Sequence, residues 1–263
     1  MPAENKIFSF YRVPERTTKP RATGLTMLEG DIKLDVAGMN WVHDLVEWGG
    51  DYIDFFKVNR HMMFQPRQLV AKKIQFLKEH FIQPYLGGGA TEVAVRQGCV
   101  ELLWQESQEL GIGVIEVSST HLPWTVEEKV KMVKKAQEAG FLVFVEVGKK
   151  RIGDTGGPKE RMPIPEVIRE MKECLNAGAF KVTYEYTEIV KLLEEEAGIK
   201  CLLEVAGAVG ADNIMFEVPV THWRDVSPYV ALYIEHFGAN VNIGDVDPSH
   251  VIQIEVDRCR FWS

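Results

Sequence analysis

The stretch from Phe141 to Arg151 joins an apolar run to a cluster of charged residues. Five apolar residues lead into Glu146, and a valine and a glycine then precede three consecutive basic residues that begin with Lys149. A continuous apolar run is typical of a strand that is buried on both faces of a parallel sheet. Such a strand has no structural need for Glu146 and Lys149 at its end. We therefore predict that this end of the strand takes part in catalysis.

Other apolar runs of the chain also end in residues that could do chemistry. They are Glu29, Asp31, Asp54, Lys57, Gly87–Gly89, Glu116, Ser118, Glu185, Glu217, Asn240, Asn242 and Asp245. Clustered carboxylates repel one another and raise each other's pKa, and a Mg²⁺ ion held by one or two of them relieves that repulsion. A lysine among apolar walls and other cations can lose its proton near neutral pH and act as an acid or base. If these ends meet, they predict a Mg²⁺ site with lysines beside it.

Several of these features also have a purely structural interpretation. Lys57, Lys149 and Lys150 could form plain ion pairs with neighbouring glutamates on the rim of a sheet. The Gly87–Gly89 segment forms either a strand-to-helix turn or a site where backbone N–H groups and a helix N-terminus meet an anion. The segment 242–244 belongs either to a phosphate site or to a tight turn. These alternatives stay open at the level of the residues.

Apolar runs alternate with helical patterns along the whole chain, and this alternation would bring the charged ends together. The predicted strands cover 24–28, 52–58, 82–86, 113–118, 141–147, 180–185, 213–218 and 240–244. The predicted helices cover 36–48, 66–80, 90–110, 125–138, from 163 or 165 to 178, 189–197, a piece from 200, 223–237 and 248–258. This pattern predicts an α/β fold, a single-domain (β/α)8 TIM barrel at 23–263, after an irregular arm at 1–22. An open doubly wound sheet is the alternative, but its Gly-x-Gly-x-x-Gly segment is missing after the first strand.

The composition excludes several classes of protein. The chain has 263 residues, 46% of them apolar, and a formal net charge of −8, which argues against a nucleic-acid or anionic-membrane surface. No Cys-x-x-Cys pair or His-x-x-x-His spacing is present, so zinc and a disulfide framework are not expected. The cysteines, which suit a reducing compartment, are Cys99, Cys174, Cys201 and Cys259. Without a signal-peptide segment or a run of ~18 apolar residues, we expect a cytoplasmic protein with no membrane partner.

Several strand-end motifs together resemble those of one family, the phosphosulfolactate synthases. The motifs lie in the same order as in that family and extend over residues 20–258. They are Gly24-Leu25-Thr26-Met27, Asp51-Tyr52-Ile53-Asp54-x-x-Lys57, Gly88-Gly89-Ala90-Thr91-Glu92, Ile115-Glu116-Val117-Ser118, Glu146-Val147-Gly148-Lys149-Lys150, Phe216-Glu217-Val218-Pro219 and Asn240-Val241-Asn242-Ile243-Gly244. An ordered set of this kind is more specific than any single motif.

The resemblance implies a reaction. Phosphosulfolactate synthases have a (β/α)8 barrel, require Mg²⁺ and add sulfite to phosphoenolpyruvate, giving phosphosulfolactate as a step toward coenzyme M. Sulfite attacks the methylene carbon, and charge develops on the substrate carboxylate as an enediolate, which Mg²⁺ stabilises. A lysine then protonates the carbon that bears the phosphate. The implied partners of this chain are therefore the small anions phosphoenolpyruvate and sulfite, with Mg²⁺ as cofactor.

The resemblance also implies roles for individual residues. Lys149 becomes the proton donor, and Lys57 and Lys150 become electrostatic partners for the anionic substrates. The catalytic residues are thus Lys149, Lys57 and Glu146. The metal-ligand candidates are Glu116, Glu185 and Glu217, with Glu146 either joining them or orienting the lysines. The substrate-binding candidates are Lys150, Arg60, Gly88, Gly89, Ser118, Asn242 and Gly244.

The chain departs from the family pattern in a few places. A bulky segment at 58–63 replaces a glycine-containing one, and the arginine near the end of the sixth strand is absent from 183–188. Loss of an arginine changes how phosphate or sulfonate is held; the residues suited to compensate are Arg60, His61, Arg151 and Arg161. Two alternatives follow: another small anionic substrate, or a non-catalytic barrel in stress protection or protein interaction. Aromatic residues that include Trp223, Tyr229, Phe261 and Trp262 hint at a homo-oligomer.

Overall fold

The structure of the protein is a computed structural model that describes residues 7–8, 10–11, 13, 16–29, 38–119, 122–148 and 161–260. Its centre is a closed barrel of parallel strands in which each strand pairs with the next and the last pairs with the first. The strands are β1 Thr26–Glu29, β2 Phe55–Val58, β3 Gln83–Leu86, β4 Val114–Val117, β5 Leu142–Val147, β6 Lys181–Tyr184, β7 Ile214–Glu217 and β8 Asn242–Val246. The predicted (β/α)8 barrel is confirmed.

Helices connect the strands and surround the barrel. In the part of the chain that the structure describes they are α1 Met39–Gly49, α2 Arg67–Glu79, α3 Gly88–Gln97, α4 Val100–Leu110, α5 Val126–Glu138, α6 Ile164–Asn176, α7 Tyr186–Leu193, α8 Gly198–Val209, α9 Trp223–Phe237 and α10 Val251–Arg258. None of these helices combines the length and apolar character that a membrane crossing requires.

The predicted single helix at 90–110 is wrong, because the chain divides there into α3 and α4. Gly98 ends α3 in the left-handed conformation, with φ of 66°, and its N–H bonds back to Val95 O at 3.1 Å. Glycine adopts this conformation without steric cost and commonly follows a helix end. In contrast, α5 begins where the sequence predicts, because Thr125 and Glu128 form a reciprocal capping box.

The strands place alternate side chains on the two faces of the barrel wall. The outward side chains, such as Phe56, Ile115 and Tyr184, pack against the helices in the main hydrophobic core. The inward side chains form a separate cluster of Leu25, Met27, Phe55, Tyr85, Val114, Phe144 and Met215. Phe144 is central in it, with ring centroids 5.1 Å from Phe55 and 5.0 Å from Tyr85. The barrel is therefore a packed core, and any binding site must lie at one of its ends.

The N-terminal end of the barrel, which we call the bottom, is covered by residues 16–24. These residues form no helix or strand and attach through basic side chains. Arg21 Nη1 donates to Asp54 Oδ1 at 2.9 Å, and Lys19 Nζ donates to Gly50 O at 2.6 Å. The prediction that Asp54 lies with Lys57 at the mouth is wrong: β2 starts only at Phe55, so Asp54 precedes the strand and lies at the bottom.

Candidate active site

The C-terminal end of the barrel, which we call the mouth, is organised around Lys57 at the end of β2. This side chain is 3% exposed, and its Nζ lies 2.9 Å from Asp245 Oδ1. The carboxylates of Glu29 and Glu116 each lie 3.6 Å from the same nitrogen. Burial by itself lowers the pKa of Lys57, but the surrounding carboxylates outweigh it, and the pKa lies well above its ordinary value. Lys57 is therefore a fixed positive charge at neutral pH.

Asp245 reaches Lys57 because β8 contains an irregularity. Thr26 of β1 pairs with Ile243, whereas Leu28, two residues on, pairs with Val246, three residues on. The extra residue is accommodated at Asp245, which has a φ of 53° in the left-handed region. Such bulges re-aim side chains and are frequent beside active sites. The backbone strain that an aspartate accepts here places its carboxylate against Lys57.

Glu116 of β4 is held in place from two sides. Tyr85 donates its hydroxyl to Glu116 Oε1 at 2.6 Å, and the backbone N–H of Gly88, at the start of α3, donates to Oε2 at 2.7 Å. Burial raises the pKa of Glu116; the Lys57 charge opposes this shift and the Glu146 charge adds to it. The carboxylate is therefore oriented by the protein while its ionised form stays poorly stabilised.

Three buried carboxylates converge at the mouth. Glu116, Glu146 and Glu217, from β4, β5 and β7, each present an oxygen within 4.8 Å of the others. Tyr186 N–H donates to Glu217 Oε2 at 3.1 Å, which fixes this third carboxylate. Buried carboxylate oxygens brought this close together are the donor set of a hard divalent cation such as Mg²⁺. The residues present therefore fit the cation that the sequence predicts.

A buried ion pair behind the sheet anchors the end of β5. Lys129 of α5 donates to the backbone oxygen of Glu146 at 2.8 Å and to Glu170 Oε1 of α6 at 2.5 Å. Both side chains are less than a tenth exposed. The pair ties the strand residue that carries a site carboxylate to two helices. It therefore positions Glu146 without facing the mouth.

Gly148 follows β5 and turns the chain tightly past α7. Its φ is 135°, and a Cβ added there would come within 2.6 Å of Glu185 Cβ and 2.7 Å of Glu188 Cγ. Glu185 is the N-cap of α7 and accepts from Thr187 N–H at 3.3 Å, so it is absent from the three-carboxylate group of the described residues. Lys149 and Lys150, the predicted proton donor and its partner, lie outside the described residues, as does Arg151.

A second group of predicted residues surrounds the start of α3. The exposed Arg60 lies over Gly89, where an added Cβ would come within 2.7 Å of its Nη1. Ser118 packs directly against Gly88 and donates its hydroxyl to Glu92 Oε1 at 2.5 Å. Arg60 and the two glycines thus form one side of the mouth. Two other residues were suggested to compensate for the missing arginine. His61 is exposed, and Arg161 pairs with Glu195 at 2.5 Å.

Two substrate-binding candidates prove to be structural. Asn242 lies at the start of β8, where its amide donates at 3.0 Å to both Asp212 O and Ile214 O and accepts from Leu25 N–H at 3.1 Å. These partners lie at the bottom, so the placement of Asn242 at the mouth is wrong. Gly244 lies inside the packed barrel, where a Cβ would come within 2.7 Å of Met215 Cγ. Its placement at the mouth is also wrong, because β8 continues to Val246.

Some site residues were missed at the sequence level. Tyr85 reads as an ordinary aromatic strand residue, and only its partner Glu116 reveals its role. Lys129 and Glu170 lie on the buried faces of α5 and α6, among residues such as Val133 and Val167. A charged residue at an apolar position of an amphipathic helix was the available signal.

A parallel barrel with buried carboxylates and a lysine at its C-terminal mouth defines the class of the protein, a (β/α)8-barrel enzyme. A model of the family "(2R)-phospho-3-sulfolactate synthase (ComA)" matches residues 14–263. The chain therefore belongs to the phosphosulfolactate synthase family, and the predicted family and enzyme class are confirmed.

Three relatives carry the name phosphosulfolactate synthase. The one from Methanocaldococcus jannaschii is 31% identical over 224 residues, covering 83% of this chain and 85% of that protein. The one from Methanothermobacter thermautotrophicus is 28% identical over 256 residues, covering 94% and 93%. The one from Bacillus subtilis is 29% identical over 252 residues, with the same coverage. The chain thus matches these relatives over most of their length.

Solved structures support the fold alone. A putative deoxyribose-phosphate aldolase from Coccidioides immitis matches with a TM-score of 0.54 at 11% identity, covering 94% of this chain and 88% of that one. The carboxyl transferase domain of Rhizobium etli pyruvate carboxylase matches with a TM-score of 0.53 at 14% identity, covering 90% and 47%.

Proposed function

We propose that this enzyme adds sulfite to phosphoenolpyruvate in a Mg²⁺-dependent reaction that yields phosphosulfolactate. The observation that carries the proposal is the group of Glu116, Glu146 and Glu217, buried at the mouth beside Lys57 in a barrel of this family. The relatives named phosphosulfolactate synthase support the choice of product. Both proposed substrates are small anions, which suits a site where a cation offsets the carboxylates.

Glu116, Glu146 and Glu217 would hold the divalent cation. Tyr85 and the Gly88 N–H orient the Glu116 carboxylate, and the Tyr186 N–H orients that of Glu217. When bound, Mg²⁺ supplies Lewis-acid stabilisation of negative charge on a substrate carboxylate. Lys57 contributes a permanent positive charge at the same place, because its pKa is raised. These groups need no reorganisation during the reaction, which is the main source of electrostatic catalysis.

The start of α3 would bind the phosphate of phosphoenolpyruvate. A helix N-terminus presents backbone N–H groups and a partial positive charge to an anion. Arg60 lies over Gly89 at this end and adds a guanidinium that can bond a phosphate through two parallel N–H groups. Lys150, which follows the proposed proton donor in the sequence, is proposed as a further cation for sulfite or phosphate.

Lys149 would supply the proton. As the C–S bond forms at the methylene carbon, the electron pair of the double bond moves toward the substrate carboxylate. A proton from the Lys149 ammonium then reaches the carbon that bears the phosphate, and the lysine is left neutral until solvent reprotonates it. The chain is held up to the residue before Lys149, because Lys129 bonds the backbone oxygen of Glu146 and the surroundings of Gly148 leave no room for a side chain.

A direct assay tests the proposal. Wild-type protein, phosphoenolpyruvate, sulfite and Mg²⁺ are incubated, and the adduct is detected by mass spectrometry. We expect adduct from the wild type, none after chelation with EDTA, and none from Lys149→Ala. Lys72→Ala, which changes an exposed lysine of α2, is the matched control and should form adduct at the wild-type rate. An inert wild type in Mg²⁺ would overturn the proposal.

A further inference from the structure

Thr183 of β6 is a buried polar residue on the inner face of the barrel wall. Its neighbours along the strand, Val182 and Tyr184, belong to the outer core, so Thr183 points inward by the alternation of a strand. It pairs with Glu146 on β5 and with Met215 on β7. Residues directly paired in a sheet share a face, so Thr183 lies beside the Glu146 side chain.

The Thr183 hydroxyl has no hydrogen-bond partner among the described residues, although the side chain is 0% exposed. Other buried threonines differ: Thr91 donates to Glu116 O at 3.1 Å, and Thr26 accepts from Arg258 at 3.4 Å. Buried hydroxyl groups almost always have a partner, because leaving one unsatisfied is costly. The Thr183 hydroxyl beside the Glu146 carboxylate is therefore available to bind a ligand at the mouth.

Four consecutive strands contribute oxygen-bearing side chains to the same face. Glu116 comes from β4, Glu146 from β5, Thr183 from β6 and Glu217 from β7. The three carboxylates form the group within 4.8 Å, and the strand of Thr183 lies between those of Glu146 and Glu217. The three-carboxylate group takes no side chain from β6, and Thr183 is the inward residue of β6 in register with Glu146.

We propose that Thr183 belongs to the divalent-cation site, contributing its hydroxyl oxygen to the oxygen shell of the cation and its O–H to a neighbouring carboxylate. A hydroxyl has both functions, since it carries one donor and two acceptor lone pairs. A neutral oxygen adds a ligand without adding another negative charge to a crowded acidic group. This inference rests on the proposed function, because it requires the cation.

Thr183→Val tests the inference, because it replaces the hydroxyl by a methyl group of nearly the same shape. The full chain, freed of metal, is titrated with Mn²⁺ or Mg²⁺ by calorimetry without substrate. We expect affinity about 10-fold or more weaker than in the wild type. In EDTA the Tm should not fall, since no protein hydrogen bond is lost. Thr26→Val, the same change at the bottom, is the control and should leave the affinity unchanged.

Each outcome separates this inference from the proposed cation site. If the wild type binds the ion and Thr183→Val binds it equally well, the inference on Thr183 is wrong and the three-carboxylate site stands. If the wild type binds no divalent ion, both are wrong. If Thr183→Val fails to fold, Thr183→Ser and Thr183→Ala decide, since both lack the methyl group and only serine keeps the hydroxyl. Equal affinities of these two variants would also overturn the inference.

Discussion

The two ends of the barrel both bury charged side chains, but in opposite ways. At the mouth, Glu116, Glu146 and Glu217 face one another, and the ion pairs of the described residues there all go to Lys57. At the bottom, basic side chains meet carbonyl oxygens and carboxylates of the protein itself. The bottom therefore pairs its buried basic groups with acceptors of the protein, whereas the mouth gathers three carboxylates whose oxygens suit the proposed divalent cation.

Arg258 is a buried basic residue at the bottom whose hydrogen-bond partners all belong to the protein. It is 2% exposed and donates to Val241 O at 2.8 Å and to Ala239 O at 2.5 Å. Burial lowers the pKa of Arg258 to about 9, and Glu255 opposes that shift. Arg16 joins the same network through Glu255, at 3.4 Å. These contacts join the first and last segments of the barrel, which fits the rule that this end of the fold serves stability and the other end serves catalysis.

The largest expected effect comes from breaking an ion pair at the bottom. Asp54→Ala removes the acceptor for Arg21 and for Thr26 N–H, and it leaves a buried guanidinium without its counter-ion. We expect the free energy of unfolding to fall by about 3–5 kcal/mol, measured by urea unfolding. The kcat of the remaining folded protein should not change, and a loss of kcat would contradict the division between the two ends.

Glu146→Gln at the mouth should lower activity and preserve stability, which is the reverse of the effect expected for Asp54→Ala. The change keeps the side-chain shape and removes one of the converging negative charges. We expect the rate of adduct formation to fall by about 10²–10³-fold, because a preorganised electrostatic contact is lost. The Tm in EDTA should stay level or rise, since repulsion among the carboxylates decreases. A Tm that falls together with the rate would mean that Glu146 is only structural.

Gly148→Ala tests whether the turn after β5 positions the lysines. The added Cβ meets Glu185 and Glu188 in a left-handed backbone conformation, so we expect a loss of about 1–3 kcal/mol in unfolding free energy. Adduct formation should also fall when compared at equal amounts of folded protein. Gly98→Ala, which has a φ of 66° but no atom within 4 Å of its Cβ, is the control. It should lose stability without losing activity.

The smallest expected effect concerns stability in the absence of metal, where Glu116→Gln should change its pH dependence. Burial raises the pKa of Glu116 above its ordinary value of 4.5, so the folded state binds more protons than the unfolded state just above that pH. The stability of the metal-free protein should therefore fall as pH rises through this window. Urea unfolding in EDTA should show that the unfolding free energy of the variant falls less steeply with rising pH than that of the wild type. If the unfolding free energy changed with pH equally in the wild type and the variant, burial would not disfavour the ionised form of Glu116.

Much of the fold and part of the site could be predicted from the sequence. The alternation of apolar runs and helical patterns predicts the barrel, because each parallel strand must be buried on both faces. Lys57, Glu116, Glu146 and Glu217 were found because each closes an apolar run, and the structure brings these four together. A residue can be assigned to the end of a strand without knowing the register in which the strands pair.

Other site features depend on contacts that the sequence does not encode locally. A shift of two residues in the bounds of β8 moved Asn242 from the bottom to the mouth in the prediction. The bulge that turns Asp245 toward Lys57 has no local signal beyond the tolerance of aspartate for positive φ. Thr183 looks like any β-branched strand residue, and only its neighbours decide whether its hydroxyl has a partner.

The most direct test of the proposed cation site is the position of the metal in a crystal structure. Crystals of the wild-type protein soaked in Mn²⁺ would be measured at a wavelength where manganese scatters anomalously. We expect one strong anomalous peak at the mouth, bounded by Glu116, Glu146 and Glu217, and no peak at the bottom. An active enzyme whose manganese peak lies elsewhere, or that shows none, would contradict the claim that these carboxylates hold the cation.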